Sequence, residues 1–131
     1  MTLAEKTPIR TEAAPAPFQG APYSQAVRVG DLVFVSGQLA LKPDHAEILG
    51  DTIQEQTELV MQNLGAILDA AGSGLDKLVK TTVFLTDLGD FAGMNEVYAR
   101  YVGDRPPARA TVEISKLPSG AKVEIEAVGH V

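Results

Sequence analysis

The chain has 131 residues, of which 45% are hydrophobic and 21% are charged. This composition is typical of a soluble globular protein that is large enough to form its own core, so we predict one domain over residues 1–131. No apolar run approaches the ~20 residues that span a bilayer, and Met1–Arg10 lacks the apolar stretch of a secretory signal. We therefore expect a cytoplasmic protein without membrane contact.

The charges and the missing cysteines exclude further classes of function. Seventeen acidic residues against eleven basic ones give a net charge of −6, and the basic residues are scattered. Such a chain repels polyanions, so nucleic acid is not the expected main partner. There is no cysteine, which rules out disulfides and thiolate chemistry. His45 and His130 lack metal-ligand spacing, and we predict neither a metal nor a cofactor.

Residues 1–22 are predicted to form an extended arm, with a short edge strand about Thr7–Thr11. The arm contains five residues that resist helix formation, namely Pro8, Pro15, Pro17, Gly20 and Pro22;. Two β-prone runs follow, Gln25–Val29 and Leu32–Ser36. They are joined by Gly30-Asp31, a glycine-first pair typical of a two-residue type II′ hairpin turn.

Two helices and one strand are predicted in the middle of the chain. Thr52 and Glu55 have the spacing of a capping box, and apolar residues then recur every three or four positions until Gly72. The second helix is expected over about Phe91–Val102. Its predicted apolar stripe consists of Phe91, Met94, Tyr98, Tyr101 and Val102. Between the helices, Leu78–Thr86 is predicted to be a strand whose covered face consists of Val79, Thr81, Val83 and Leu85.

Two more strands, Ala108–Ile114 and Ala121–Val128, complete a β-β-α-β-α-β-β order. This order indicates an α+β fold with two helices packed on one face of a mixed sheet. The other face is expected to carry polar strand residues, namely Arg109, Thr111, Glu113, Glu124 and Glu126. The chain has no third helix to cover this face, so we expect assembly around that open face. Pockets of small oligomers often lie between subunits.

Arg109 is a candidate anchor for a small anionic substrate. Its strand alternates, with Ala110, Val112 and Ile114 on the apolar face and the guanidinium on the other. Arginine stays charged and offers a planar fork of donors that fits a carboxylate. The alternative is a surface arginine paired with an acid.

Glu124 and Glu126 lie on the polar face of the last strand. If that strand pairs antiparallel with the Arg109 strand, a register with Thr111 opposite Glu124 also brings Arg109 near Glu126. A carboxyl beside a bound anion has a raised pKa, as a general acid or base needs. The alternative is a solvated strand face. Tyr23 is either a packing aromatic or a ring over a ligand. Asn95 is a polar residue of the second helix, where its side chain could simply be exposed to solvent.

Six collinear segments resemble the reactive intermediate deaminase family, known as RidA, YjgF or L-PSP. They are Ala21–Ala26, Val35–Gln38, Lys80–Asp87, Phe91–Tyr98, Pro107–Glu113 and Val123–Ala127. The resemblance as a whole covers about residues 13–128. The departures from the family pattern are Thr111 where cysteine is frequent and Ala21 where glycine is usual.

The resemblance implies a homotrimer of chorismate-mutase-like subunits with intersubunit clefts for small carboxylates. It also implies hydrolysis of 2-imino acids, formed from enamines such as 2-aminoacrylate, to 2-keto acids and ammonia. In that scheme Arg109 holds the substrate carboxylate, and Glu124 positions water and transfers a proton. The cleft walls are formed by Tyr23, Ser36, Gly37, Asn95 and Thr111, the last through its backbone or hydroxyl.

Two other functions remain open from the sequence. The same cleft could serve a trimeric sensor or chaperone that binds small carboxylates without turnover. Some relatives are also described as RNA-cleaving translation inhibitors, which the acidic charge balance disfavours here.

Overall fold

Six strands form one mixed sheet in the order β1-β2-β3-β6-β4-β5. The strands are β1 (Lys6–Ile9), β2 (Ala26–Val29), β3 (Leu32–Gln38), β4 (Leu78–Leu85), β5 (Ala108–Glu113) and β6 (Val123–His130), and the helices are α1 (Ile53–Ala70) and α2 (Phe91–Val102). Neighbouring strands are antiparallel except for β4 and β5. This computed structural model describes residues 5–131, so the start of the predicted arm and of the Met1–Arg10 segment lies outside the described residues. The predicted α+β fold is confirmed.

Local sequence signals account for the ends of the elements. Val29 pairs with Leu32 around Gly30-Asp31, and of the two turn residues only Gly30 has a positive φ, of 59°, as in the predicted type II′ turn. The Thr52 side chain and Glu55 form both halves of the capping box of α1. The predicted edge strand is present as β1, which pairs with β2.

The covered face of β4 differs from the prediction at one end. Thr81, Val83 and Leu85 are fully buried, whereas Val79 is 44% exposed and Leu78 is buried in its place. The register of β4 against β6 shifts between Leu78 and Lys80. Such a bulge reverses the alternation of side chains, so a strict period of two cannot predict the face beyond it.

The stripe of α2 also differs in part from the prediction. Met94, Tyr98 and Val102 are buried as expected, and Val97 is buried as well. Phe91, which was expected in the core, is 41% exposed.

Both helices pack on the same face of the sheet. The main core joins side chains of α1 and α2 to residues from the central strands such as Val33, Val83 and Ile125. The opposite face has only a small cluster at one end, centred on Leu39, Leu41, Leu117 and Ala121. This second face, which we call the open face, also presents exposed apolar side chains.

The prediction that β5 pairs with β6 is wrong. β6 lies between β3 and β4, and β5 is an edge strand parallel to β4. A helical crossover such as α2 brings two strands together in parallel. The predicted register, with Thr111 opposite Glu124 and Arg109 near Glu126, therefore does not occur.

Arg109 and Glu124 consequently lie on opposite faces of the sheet. Arg109 is paired with Thr81, and Thr81 with Ala127, on the helix-covered face. Glu124 is paired with Phe84 on the open face. The prediction that Arg109, Thr111 and Glu113 share the open face with the glutamates is wrong for the same reason, and Ala110 and Val112 occupy that face instead.

Candidate active site

Four of the predicted site residues meet in a cleft on the open face. The cleft has a volume of about 440 Å³. It is lined by the predicted residues Tyr23, Ser36, Gly37 and Glu124, together with Phe18, Ala21, Leu39, Pro118 and Glu126. We call it the carboxylate cleft, because its two charged side chains are Glu124 and Glu126.

An irregularity in β3 creates space for the Glu124 carboxyl. The pairing of β3 with β6 shifts between Val35 and Gln38, so Ser36 and Gly37 form a bulge. A Cβ atom on Gly37 would lie 2.8 Å from Cδ of Glu124, so a side chain at this position would displace the carboxyl. Gly37 therefore lets the carboxyl lie directly against the backbone.

Hydrogen bonds also fix two residues of the cleft wall, Ser36 and Tyr23. The Ser36 hydroxyl donates to the carbonyl oxygen of Ser24 at 2.6 Å. The backbone N–H of Phe18 donates to the Tyr23 hydroxyl at 2.5 Å. The Tyr23 ring is thus held at its hydroxyl end while 42% of the residue remains exposed.

The pKa of Glu124 is raised above its ordinary value. The main cause is burial, which disfavours the charged carboxylate, and the second is repulsion by the nearby Glu126 carboxylate;. A raised pKa makes a carboxyl a better proton acceptor when ionised and a usable proton donor nearer neutral pH. Glu124 therefore has the properties of a group that exchanges protons with a ligand in the cleft.

Replacing Glu124 with glutamine is expected to stabilise the chain at neutral pH. Because the folded-state pKa is raised, the contribution of Glu124 to stability is present below the unfolded-state pKa and is lost as the pH rises through the folded-state pKa. The unfolding midpoint of Glu124→Gln should exceed that of the native chain at about pH 7.5, and the gap should close towards about pH 4.

The matched control is Glu96→Gln, since Glu96 is an exposed residue of α2. This control should leave the midpoint nearly unchanged at both pH values. An equal gap for Glu124→Gln at both values would show that burial does not raise the pKa of this carboxyl.

The other three predicted site residues belong to a second group on the helix-covered face. The Arg109 guanidinium lies 4.9 Å from the centre of the Tyr98 ring and 5.5 Å from that of Phe91. Both rings belong to α2, and at these distances they attract the guanidinium through cation–π interactions. Phe91, Asn95 and Tyr98 are spaced so that they share one face of the helix. We call Phe91, Asn95, Tyr98, Arg109 and Thr111 the arginine cluster.

Arg109 is held by rings rather than by an acid. The Tyr98 hydroxyl is hydrogen-bonded to the Thr81 hydroxyl at 2.7 Å in the buried core, which fixes the ring beneath the guanidinium. Within residues 5–131 no carboxylate lies within 4.0 Å of Arg109. The alternative of a surface ion pair is therefore wrong for the described chain, and the donors of the guanidinium stay available to an external anion.

Thr111 lies next to Arg109 on the same face of β5, two residues further along the strand. Its hydroxyl oxygen is buried and has no hydrogen-bond partner in the structure. A buried hydroxyl without a partner costs free energy. A ligand held by Arg109 at this edge strand could satisfy it.

Comparison with known proteins identifies the family. Residues 11–131 match the family described as Endoribonuclease L-PSP, which is the family that the sequence resembles. The chain belongs to the RidA/YjgF/L-PSP family. A RutC family protein of Pyrococcus abyssi is 49% identical over 125 residues, which cover 95% of this chain and 97% of that protein.

Two further members of the RidA family carry more informative names. The chloroplastic Reactive Intermediate Deaminase A of Arabidopsis thaliana is 44% identical over 124 residues, which cover 95% of this chain and 65% of that protein. The structure of Escherichia coli TdcF with bound serine has a TM-score of 0.88 and 40% identity, and the match covers 95% of this chain and 98% of TdcF.

Sequence reasoning missed the groups that position the predicted residues of this RidA-family chain. Phe91 and Tyr98 were expected only to pack in the core. Tyr98 is buried there and Phe91 is not, and the rings of both hold Arg109. A signal for this contact was present in the order of the elements. α2 is the crossover helix between the parallel strands β4 and β5, so aromatic residues on its inner face can lie against β5. In residues 5–131 no helix is long and apolar enough to cross a membrane, and no three acidic or histidine side chains are placed to hold a metal ion.

Proposed function

We propose that this RidA-family protein hydrolyses 2-imino acids to 2-keto acids and ammonia, in sites shared between copies of the chain. The observation that carries the proposal is the Arg109 guanidinium, which is fixed by two rings and has no acidic partner among residues 5–131. A rigid guanidinium with free donors binds a carboxylate in a two-pronged geometry. The substrate class is therefore a small molecule with a carboxylate beside its reacting carbon.

A shared site follows from the opposite orientations of Arg109 and Glu124. One substrate cannot contact both side chains of a single chain, because the sheet lies between them. A second copy can supply the missing group if its edge strand β5 approaches the carboxylate cleft of the first. Exposed apolar residues on the open face favour such an assembly, among them Leu32, Phe34 and Val112. By resemblance to the family, we propose a homotrimer.

The proposed reaction needs only orientation, water and proton transfer. The Glu124 carboxylate accepts a proton from water as the water oxygen bonds to the carbon of the protonated imine, whose C=N π electrons move to the nitrogen. Glu124 then returns that proton to the resulting amino group, and the C–N bond breaks with departure of ammonia. The hydroxyl proton passes back to the Glu124 carboxylate and on to solvent, which leaves the keto group. The imine carbon is already electrophilic, so positioning and acid–base catalysis provide the rate enhancement.

The names of two relatives agree with this chemistry. The Arabidopsis relative is called a deaminase of reactive intermediates, and TdcF has been crystallised with serine, an amino acid that carries a carboxylate and a nitrogen on the same carbon atom. The family description also refers to RNA cleavage. The two carboxylates of the cleft and the net charge of −6 oppose the binding of a phosphate chain, which favours the imino acid.

A coupled assay tests the proposed function. An amino acid oxidase generates 2-imino acids, semicarbazide traps those that remain, and addition of the protein is expected to reduce the trapped product while ammonia is released sooner. An unchanged yield of trapped product from imines of several sizes would refute the deaminase. Stabilisation by 2-oxobutyrate together with that result would instead support the sensor that binds without turnover.

A further inference from the structure

A second cavity lies beside the carboxylate cleft, under the amino-terminal arm. It has a volume of about 620 Å³. Its lining includes five proline or alanine residues, Pro8, Ala14, Ala16, Pro17 and Pro43, and its charged lining residues are Arg10 and Glu12. We call it the arm cavity. A space of this size with a mostly apolar wall fits a hydrocarbon or aromatic group.

The arm cavity is held open by a buried glutamine. Gln25 is 4% exposed, and its side-chain NH₂ donates to the carbonyl oxygens of Thr11, Ala14 and Pro15 at 3.0, 3.3 and 2.8 Å. Its amide oxygen accepts from the backbone N–H of Thr11 at 2.8 Å. These bonds tie the arm to the start of β2, so the cavity is bounded by fixed walls.

Tyr23 separates the arm cavity from the carboxylate cleft. Of the described residues, Tyr23 alone lines both spaces. A narrow gap of about 20 Å³ is lined by Tyr23, by Ala16 of the arm cavity and by Gly37 of the carboxylate cleft. Because the Tyr23 hydroxyl is bound by the N–H of Phe18, the ring is fixed as a partition.

We propose that Tyr23 determines the size of the substrate side chain, by separating the reaction site from the arm cavity. The inference rests on the proposed function. In the assembled protein, the cleft must hold the substrate together with the approaching edge of a second copy, so the side chain of the imino acid ends against the Tyr23 ring. The native chain then prefers short side chains, and removing the ring opens the arm cavity to large apolar ones.

The test compares kcat/KM for the imino acids derived from phenylalanine and from alanine. Replacing Tyr23 with alanine should raise the phenylalanine-to-alanine ratio at least about tenfold, the scale at which apolar pockets discriminate size. Tyr23→Phe keeps the ring but loses the bond of the hydroxyl to Phe18, so it should raise the ratio far less than Tyr23→Ala, by no more than about threefold. Adding Ala16→Leu to Tyr23→Ala refills the opened space and should bring the ratio back towards the native one.

The outcomes separate this inference from the proposed function. A ratio that Tyr23→Ala leaves unchanged, or that Ala16→Leu fails to reverse, would overturn the role of Tyr23 even in an active enzyme. If the native chain turns over neither imine, the deaminase proposal fails. In that case, or if Tyr23→Ala loses all turnover, the role of Tyr23 is tested by binding. The ratio of the dissociation constants of phenylpyruvate and pyruvate is then compared between the native chain and the same variants.

Discussion

Replacing Arg109 with alanine is expected to lower kcat/KM for 2-imino acids by about a thousandfold. A hydrogen bond to a charged group contributes about 1.5–3 kcal/mol, and a carboxylate bound by the guanidinium loses two of them. Since about 1.4 kcal/mol corresponds to a tenfold change in rate, the loss amounts to roughly two to four powers of ten. Steady-state kinetics of the coupled assay measures it directly.

Two control variants separate anchoring from general effects of charge. Arg109→Lys keeps the charge but has a single-point donor instead of a planar fork, so it should recover only part of the lost kcat/KM. Arg105→Ala removes an exposed arginine just before β5 and should retain nearly all activity. Full activity of Arg109→Ala would place the carboxylate anchor elsewhere in the protein.

The local elements of this fold could be predicted because short-range signals specify them. The capping box at Thr52 and Glu55 fixes the start of α1, and the glycine-first turn at Gly30-Asp31 fixes the β2–β3 register. Each of these signals acts within a few residues, so it does not depend on the rest of the chain. The limits of α2 also agree with the prediction, and Gly103, which follows its last residue, has a positive φ of 69°;.

The order of the strands could not be predicted in the same way. β5 and β6 are consecutive and joined by a turn-rich segment, which favours a hairpin. The structure inserts β6 between β3 and β4 instead. There the apolar residues Val123, Ile125 and Ala127 are almost fully buried beneath the helices. The position of β6 in the strand order depends on burial across the whole sheet, and no pattern within β5 predicts it.

The candidate site was predictable as a set of residues but not as an arrangement. The alternation in β5 correctly predicts that Arg109 and Ala110 point to opposite faces of the sheet. It does not indicate which of these two faces the helices cover. Ala110 and Val112 are the more apolar pair, but they lie on the open face and Val112 is 41% exposed. Arg109 lies on the covered face because the rings of Phe91 and Tyr98 accommodate its guanidinium;.

A mixture of two inactive variants is expected to regain activity. If each site takes Arg109 from one copy and Glu124 from another, neither Arg109→Ala nor Glu124→Gln contains an intact site when assembled alone. Co-assembly places some native arginines, carried by Glu124→Gln chains, beside native glutamates carried by Arg109→Ala chains. In a closed ring with equal random mixing, each requirement is met half the time, so about one quarter of the sites become intact.

The measurement is the activity of the two variants unfolded and refolded together, compared with each refolded alone. Recovery to about a quarter of native activity requires the groups to come from different copies, in agreement with their positions on opposite faces of one sheet. The control mixes Arg109→Ala with the double variant Arg109→Ala/Glu124→Gln, which provides no native arginine and should stay inactive. Since single-chain sites cannot be repaired by mixing, a mixture as inactive as its components would mean that Arg109 and Glu124 do not form a site between copies.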